Sequence, residues 1–351
     1  IGVRFVYPAL LPFVRSEFGF GLSTAGLLLT CLWGAYAVGH VPGGVLGDRF
    51  GEGTVLVWSV VVSTAAVLLV AAAPTVGVLF CATVAFGLAT ALYDPMRFAI
   101  LTDLYPAGSG SAVGVTMAAG NVANTTFPVV ATALTGALGW RFGVAAFAPL
   151  FGLIAVGLWT SVPARTSSDD DALAGSPRTI LSRLRDGVSV GAIPTFVAIQ
   201  LSLSFVIQGF TSFYPLYLTD VKGLSPGIAA TLFGGFFALG AVVQPVSGRL
   251  VDRLGTKPTL VGFLSVCVVP LWLLPFVDGL GPLVVATVAF AAWNGTVVVT
   301  QTYVAETLPA ELQGTGFGTL KAGWMLFGAT APLLVGLLAD AGFFDAGFLL
   351  L

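Results

Sequence analysis

The sequence predicts an all-α polytopic membrane protein, because it has too few polar residues to cover a water-soluble surface. Of the 351 residues, 57% are hydrophobic and 9% are charged, whereas soluble domains carry about 25% charged residues. The mean hydropathy of the chain is +0.99. The charges are also clustered, and the segments between them reach roughly 20 residues, the helix length that spans a hydrocarbon core about 30 Å thick. The chain is therefore expected to cross a membrane many times.

Ten of these apolar segments are long enough to be complete membrane spans. They are residues 23–46, 54–73, 76–104, 111–140, 142–162, 187–219, 223–248, 258–277, 279–305 and 314–338. Two further apolar segments, 1–13 and 343–351, are too short to cross unaided. We interpret them as the apparently truncated first and last helices of a twelve-helix bundle. A cleaved signal peptide is the alternative for the first segment, but no basic region and no small-residue cleavage site accompany it.

Charge and cysteine content argue against several other kinds of protein. The net charge is −2, and no basic cluster favours nucleic acid as a partner. The three cysteines, Cys31, Cys81 and Cys267, lie inside apolar spans and lack the spacing of metal ligands. They are expected to be packing residues rather than disulfides or metal ligands, and we expect no cofactor.

Basic residues indicate how the chain is oriented. Eight Lys and Arg residues fall in loops on one side of the predicted bundle, and three fall on the other. The eight are Arg49, Arg165, Arg178, Arg183, Arg185, Arg249, Arg253 and Lys257; the three are Arg15, Arg141 and Lys222. Loops rich in Lys and Arg stay in the cytoplasm. The larger group is therefore predicted to be cytoplasmic, with both termini on that side of a plasma membrane.

A long polar loop divides the chain near its middle. It contains three consecutive acidic residues, 169–171, and then a short basic amphipathic stretch at 177–185. The acidic part has too little apolar surface to order itself, and the basic part is expected to lie along the lipid headgroups. We predict an N-terminal six-helix half at 1–162, a cytoplasmic central loop at 163–191 and a C-terminal six-helix half at 192–351.

Internal similarity supports the same division, since three matches recur in order at almost one offset. The segment 44–51, Gly-Val-Leu-Gly-Asp-Arg-Phe-Gly, matches 248–255, Gly-Arg-Leu-Val-Asp-Arg-Leu-Gly. Residues 103–106 match 306–309, and Tyr-Pro at 7–8 matches Tyr-Pro at 214–215. Parallel repeats of this kind occur in transporters, whose halves rock about a binding site near the bilayer midplane.

The two copies of Gly-x-x-x-Asp-Arg-x-Gly resemble the signature loop of the major facilitator superfamily. Each copy follows a predicted span, and both fall on the cytoplasmic side. The resemblance extends over essentially the whole chain in span count, central loop and repeat. It implies a secondary active transporter, a symporter or antiporter, that moves a small solute by rocker-switch alternating access.

Specific roles for the loop residues also follow from the resemblance. It implies that Asp48 faces the start of the eleventh helix, near Gly314, and that Arg49 pairs with Asp103. By the repeat, Asp252, Arg253 and Glu306 form the matching set. These residues are expected to gate the transporter, or alternatively to do no more than fix topology and cap helices. The first copy departs from the family pattern, because Glu52 and Gly53 stand where basic residues are usual.

The glycines of the two loops carry separate expectations from backbone geometry. Gly44 and Gly248 are expected to let neighbouring helices approach closely. Gly51 and Gly255 are expected to permit the tight turn between antiparallel helices.

Four ionisable residues lie inside predicted spans: Arg4, Asp94, Arg97 and Lys321. Each costs about 2.5–3.5 kcal/mol at a helix centre on insertion scales, so each marks a candidate functional site. Our main hypothesis is an anion held by Arg4 and Arg97, because guanidinium offers a bidentate fork. Alternatively Asp94 and Arg97 neutralise each other and Lys321 extends towards the headgroups. In a third interpretation Asp94 carries the coupled proton.

Neutral polar residues in the spans complete the set of candidates. Gln208, Tyr214 and Asn294 are expected to line the substrate and coupling cavity, although hydrogen bonds between helices are the commoner use of such side chains. For His40, the single histidine, a helix contact is favoured over a proton relay.

Together these observations predict a monomeric secondary transporter of an organic or inorganic anion, with protons as the coupling ion. The alternatives are proton-driven efflux of small hydrophobic compounds, and, in a different class, a transporter-like sensor or a channel. An intramembrane enzyme is not expected, because the paired motifs that such proteases require are absent from the sequence.

Overall fold

The computed structural model describes residues 2–106, 108–166, 193–307 and 315–351. Over these ranges the chain forms helices and short 3₁₀ turns and no strand, which confirms the all-α expectation. Most of the predicted central loop, including the amphipathic stretch at 177–185, lies outside the described residues.

Within the described ranges the helices follow one another as twelve consecutive rods. They are α1 Val6–Phe18, which follows a 3₁₀ turn at Gly2–Phe5; α2 Leu22–Phe50; α3 Glu52–Ala71; α4 Val76–Leu104; α5 Ser109–Leu138; α6 Trp140–Ser161; α7 Ile193–Asp220; α8 Pro226–Leu254; α9 Thr256–Leu273; α10, in two segments, Leu280–Phe290 and Trp293–Thr307; α11, in two segments, Thr315–Gly328 and Ala331–Asp340; and α12 Phe344–Leu350.

Nine of the described helices are long and apolar enough to cross a membrane. The sequence predicts ten, and the tenth is α5. That helix has 30 residues, but polar side chains such as Asn121, Asn124 and Thr125 lower its hydropathy. The short α1 and α12 coincide with the two short terminal segments. The order of rods agrees with the twelve-helix bundle.

Several helices are broken near mid-length, and prolines explain most of the breaks. α4 is interrupted before Pro95, α6 before Pro149 and α11 before Pro332. Proline lacks the amide hydrogen and its ring collides with the preceding turn. The break of α10 at Ala291 has no adjacent proline.

The bundle has two ends, which we name after residues found there. Successive rods alternate in direction, so Arg15 of α1, Asp220 of α7 and Asp340 of α11 share the Arg15 end. Asp48 lies at the opposite end of α2, the Asp48 end. An ion pair of 2.8 Å between Arg15 and Asp220 and hydrogen bonds from the start of α2 to Asp340 agree with this assignment.

Contacts between α2 and α11 bring backbone against backbone in the part of the bundle nearest the Arg15 end. A Cβ on Gly26 would lie 2.3 Å from the carbonyl oxygen of Pro332. A Cβ on Gly336 would lie 2.4 Å from the carbonyl oxygen of Leu22. Neither position has room for a side chain, so these glycines set the distance between the two helices.

The signature glycines behave in two different ways. Gly51 and Gly255 have φ values of +89° and +85°, so the expectation of tight turns at these positions is confirmed. The expectation for Gly44 and Gly248 is wrong, since a Cβ at either would meet nothing within 4 Å. The close approach is made instead by Gly47, whose Cβ would lie 2.6 Å from Met96 Sδ on α4. Gly44 lies only three residues before Gly47, but it does not contact α4 in the same way.

Glu17 anchors the start of α6 to the end of α1 at the Arg15 end. It accepts a hydrogen bond from the Trp140 indole and one from Arg141 Nη2 at 2.7 Å. The Trp140 hydrogen bond and the Arg141 charge hold the pKa of Glu17 below its usual value. Arg141 also donates to the carbonyl oxygens of Ala71 and Ala73, each at 2.8 Å. The α3–α4 turn is therefore tied into the same corner.

Candidate functional site

The ionisable residues predicted inside the spans converge near the middle of the bundle. Arg4 lies in the 3₁₀ turn before α1, Asp94 and Arg97 lie on α4, and Lys321 lies on α11. Arg4, Asp94 and Arg97 are 5%, 8% and 7% exposed. The charges of Arg4, Arg97 and Lys321 all act on Asp94. We call these four residues the charged cluster.

Tyr36 of α2 joins two members of the charged cluster. Its hydroxyl donates a hydrogen bond to Asp94 Oδ2, and the Arg4 guanidinium carbon lies 3.6 Å from the centroid of its ring. The Tyr36 side chain is 4% exposed, and contacts of this kind between a cation and a ring strengthen when water is excluded. Trp33, one turn earlier, presents its ring 5.7 Å from the same guanidinium carbon.

Arg97 reaches the other oxygen of the same carboxylate. Its Nη2 lies 3.2 Å from Asp94 Oδ1, in an i, i+3 pair along α4. The two side chains are 8% and 12% exposed. Arg97 Nε has no hydrogen-bond partner among the described residues. Arg97 therefore keeps an unused donor, although it contacts Asp94.

Asp94 thus accepts a hydrogen bond from Tyr36 on one carboxylate oxygen and forms an ion pair with Arg97 through the other. With Lys321 protonated, the charged cluster holds three positive charges and one negative charge. Burying unbalanced charge in a low-dielectric region is costly. A further anion would offset this excess of positive charge.

His40 adjoins the charged cluster through Tyr36. Its Nδ1 lies 2.7 Å from the Tyr36 carbonyl oxygen, and its ring stands edge-on to the Tyr36 ring with centroids 4.6 Å apart. Nδ1 therefore carries the hydrogen when the ring is neutral. The contact lies within α2, whereas the sequence suggested a contact between helices.

The three neutral candidates are used in packing among α7, α10 and α11. Gln208 Nε2 donates to the Met325 carbonyl oxygen at 3.0 Å, and the Tyr214 hydroxyl forms a hydrogen bond with Thr287 Oγ1. Asn294 Nδ2 donates to the carbonyl oxygen three residues earlier at 3.0 Å. Tyr214 is 0% exposed. None of these hydrogen bonds joins the three residues to the charged cluster, and cavity-lining roles for them stay predictions.

Tyr36 is the residue of the site that the sequence reasoning missed. A tyrosine in a span carries no charge and therefore draws no attention beside four ionisable groups. The usable signal was its spacing of four residues from His40 and three from Trp33, which places three amphipathic rings on one face of α2.

No group of three or more His, Cys, Asp or Glu residues in the described ranges could hold a metal ion. The three cysteines are unpaired thiols.

The chain is similar to known proteins in sequence and in fold. The sequence profile of the Major Facilitator Superfamily matches residues 1–295 and 222–351, and so extends over the chain. The chain belongs to the major facilitator superfamily. Membership of this family confirms the resemblance inferred from the signature loops.

Characterised and uncharacterised superfamily members resemble the chain at low identity. The cis,cis-muconate transport protein of Acinetobacter baylyi is 26% identical, with 96% of this chain and 84% of that protein covered. The uncharacterized MFS-type transporter YtbD of Bacillus subtilis is 24% identical over 71% of this chain. The chain spans 62% of the length of YtbD and 54% of another such transporter, Rv1250 of Mycobacterium tuberculosis, at 27% identity over 75% of the chain.

A solved structure has a similar fold. A point mutant of the nucleoside transporter NupG superposes with a TM-score of 0.80 at 12% identity, with 99% of this chain and 94% of that chain covered. At this identity the likeness concerns the fold alone.

The first superfamily signature loop has a partner that the sequence did not indicate. Arg165 donates to the carbonyl oxygens of Asp48 and Arg49 at 2.8 and 3.2 Å. The amide of Thr166 donates to Glu52 at 3.0 Å. The residues that follow α6 therefore lie on the α2–α3 turn, and the atypical Glu52 is one of their anchors.

The expected pair between Arg49 and Asp103 is not formed, although both residues are among those described. Asp103 accepts a hydrogen bond of 2.7 Å from Thr166 Oγ1, and the Arg49 guanidinium carbon lies 5.3 Å from the Phe50 ring centroid. Segment 163–166 therefore occupies the place of the predicted pair. The expected partner of Asp48, near Gly314, lies outside the described residues.

The second signature loop is described only in part. Asp252 and Arg253 are exposed at the Asp48 end of α8. The side chain of Glu306 lies outside the described residues, so its predicted pairing is not tested. A gating role for either loop stays a prediction.

Proposed function

We propose that this superfamily member is a secondary active transporter of a small carboxylate anion, which binds at the charged cluster and crosses the membrane by alternating access. The observation that carries the proposal is the buried excess of positive charge around Asp94. Three cationic side chains and one carboxylate share this region, while Arg97 Nε has no acceptor among the described residues.

The geometry suggests how an anion would bind. A substrate carboxylate would take the guanidinium of Arg97, because a bidentate pair is stronger than the single contact of 3.2 Å with Asp94. Asp94 would then keep its hydrogen bond from Tyr36. Arg4 and Lys321 would balance the added negative charge. Binding therefore exchanges one carboxylate for another on Arg97 and reduces the excess of buried positive charge.

The location of Lys321 links binding to conformational change. Lys321 belongs to α11, whereas the other members of the charged cluster belong to helices before the central loop. We assign 1–162 and 192–351 as the two halves that rock, joined by a cytoplasmic loop at 163–191. An anion contacting residues of both halves would stabilise a state in which they are close.

Chemistry of a relative supports the same class of substrate. The A. baylyi protein, similar over 96% of this chain, is a cis,cis-muconate transport protein, and muconate is a dicarboxylate. Protons are the proposed coupling ion, because an anion that takes Arg97 removes one of the cations that act on the Asp94 carboxylate. The excess of basic residues in the loops at the Asp48 end supports a cytoplasmic location for that end, and we propose that the protein is a monomer in the plasma membrane.

Uptake into reconstituted vesicles tests the proposal. We would measure uptake of cis,cis-muconate and other dicarboxylates, and of their neutral methyl esters, with and without an inward proton gradient. Arg97→Gln should reduce anion uptake at least tenfold, because it removes the fork that holds the substrate. Arg249→Gln is the matched control, since Arg249 is exposed near the Asp48 end of α8. Equal uptake of esters and anions, or equal uptake by Arg97→Gln and wild type, would refute the anion site.

A further inference from the structure

Asp340, an acid at the Arg15 end of the bundle, is placed to hold the transporter in one conformation. Asp340 is the last residue of α11, and its two carboxylate oxygens meet the start of α2. Oδ1 accepts from the Leu22 amide at 2.6 Å and Oδ2 from the Ser23 amide at 2.7 Å. The acid and its donors are more than 300 positions apart in the chain.

The start of α2 has no cap of its own. Its N-cap residue is Gly21, which offers no side-chain hydrogen bond. The first amides of any helix lack partners within the helix, and they form the positive end of its dipole. At the start of α8, which corresponds to α2 in the internal repeat, Ser225 accepts a hydrogen bond from the Ile228 amide. Only α2 of these two helices depends on a carboxylate from another helix.

Surrounding contacts link Asp340 to other interactions at the same end. The charge of Arg15 acts on Asp340, while Arg15 also forms its 2.8 Å ion pair with Asp220 of α7. The Arg15–Asp220 ion pair and the hydrogen bonds to Asp340 each join a helix that precedes the central loop to a helix that follows it. Gly336, one turn before Asp340, packs against the Leu22 backbone.

We propose that Asp340 is a latch for the Arg15 end: its carboxylate caps α2 only while α2 and α11 are together, and it is released when that end opens. An acid cap within one helix would be indifferent to rocking, because it would be present in both conformations. A cap supplied from across the bundle stabilises the closed conformation alone. Asp340 therefore biases the equilibrium between the closed and open Arg15 end.

Distance measurements between spin labels would test the latch without any substrate, so the result is independent of the proposed anion transport. Cysteines would replace Leu138 and Leu280, which are 59% and 47% exposed at the Arg15 end of α5 and α10. The three native cysteines would be replaced by alanine. Double electron–electron resonance then reports the fraction of molecules with this end open.

Asp340→Asn should raise the ratio of open to closed molecules about two- to fivefold, the effect of an exposed carboxylate at a helix N-terminus. Asp278→Asn is the matched control, because its side chain is 85% exposed and pairs with Lys222 within the helices after the central loop. That control should leave the distances unchanged.

Leu22→Pro perturbs the same contact from the other side. Proline is tolerated at the first helical position, and it removes the amide that donates to Oδ1 while leaving the acid in place. The proline variant should shift the ratio in the same direction, and the double variant should shift it less than the sum of the two free-energy changes. Unchanged distances in Asp340→Asn, an equal shift in Asp278→Asn, or simple additivity in the double variant would overturn the latch.

Discussion

Replacing Tyr36 by phenylalanine tests how the charged cluster exchanges one anion for another. The change removes the hydroxyl that donates to Asp94 but keeps the ring beneath Arg4, 3.6 Å from its guanidinium carbon. Without substrate, Asp94 still has its contact with Arg97. With substrate on Arg97, Asp94 would have lost both partners. The cost of the substitution therefore falls mainly on the substrate-bound state.

The expected size of the effect follows from the type of bond. A hydrogen bond to a charged group contributes about 1.5–3 kcal/mol, and each 1.4 kcal/mol changes a dissociation constant about tenfold. Tyr36→Phe should therefore weaken anion binding about ten- to a hundredfold with a small change in Tm. Tyr36→Leu also removes the ring contact with Arg4, about 0.5–2 kcal/mol. It should bind the anion as weakly as Tyr36→Phe but have a lower Tm.

Calorimetric titration of the detergent-solubilised protein with cis,cis-muconate, together with thermal unfolding, provides both measurements. Tyr105→Phe is the matched control, because Tyr105 is 55% exposed and loses the same hydroxyl far from the site. Wild-type affinity in Tyr36→Phe would refute the exchange of carboxylates on Arg97. A loss of affinity in the leucine variant alone would show that only the ring matters.

Two further substitutions are matched pairs. Lys321→Gln should lower the affinity for a dianion more than for a monoanion, since it removes one of the balancing charges, whereas substitution of the exposed Lys257 by Gln should change neither affinity. Vesicle uptake at varied substrate concentration measures both affinities, and equal losses for the two anions would contradict the charge argument. Gly51→Ala should lower Tm, because φ at this position is +89° and the new Cβ would lie 2.3 Å from a carbonyl oxygen. Gly44→Ala should leave Tm unchanged or raise it, since the free energy of unfolding should increase by no more than about 1 kcal/mol. The opposite order of the two Tm values would show that the turn geometry is misassigned.

The spans could be predicted from the sequence because the membrane imposes a simple rule. A charged residue is costly in hydrocarbon, so uncharged stretches of sufficient length mark the helices. The same rule selected Arg4, Asp94, Arg97 and Lys321, and the structure places all four together. An isolated charge in a span is informative because few neighbours compete to explain it.

The remaining features depend on rotation about a helix axis and on contacts distant in sequence. Gly44 and Gly47 both belong to the signature loop region, but only the structure shows that Gly47 faces α4. The anchoring of Asp103 by Thr166 depends on the path of the chain after α6, which no local pattern specifies. Tyr214 is as polar in sequence as Tyr36, yet it stacks on the ring of Phe210 in α7 and forms a hydrogen bond with Thr287 of α10.

The glycine contacts between α2 and α11 have a consequence for rates. At Gly26 and Gly336 the two helices meet through backbone atoms, with no room for a Cβ at either position. Interdigitated side chains must change rotamer before two helices can part, which adds to the activation barrier. Flat backbone surfaces separate without that step. We therefore expect these glycines to lower the kinetic barrier to separating the two helices.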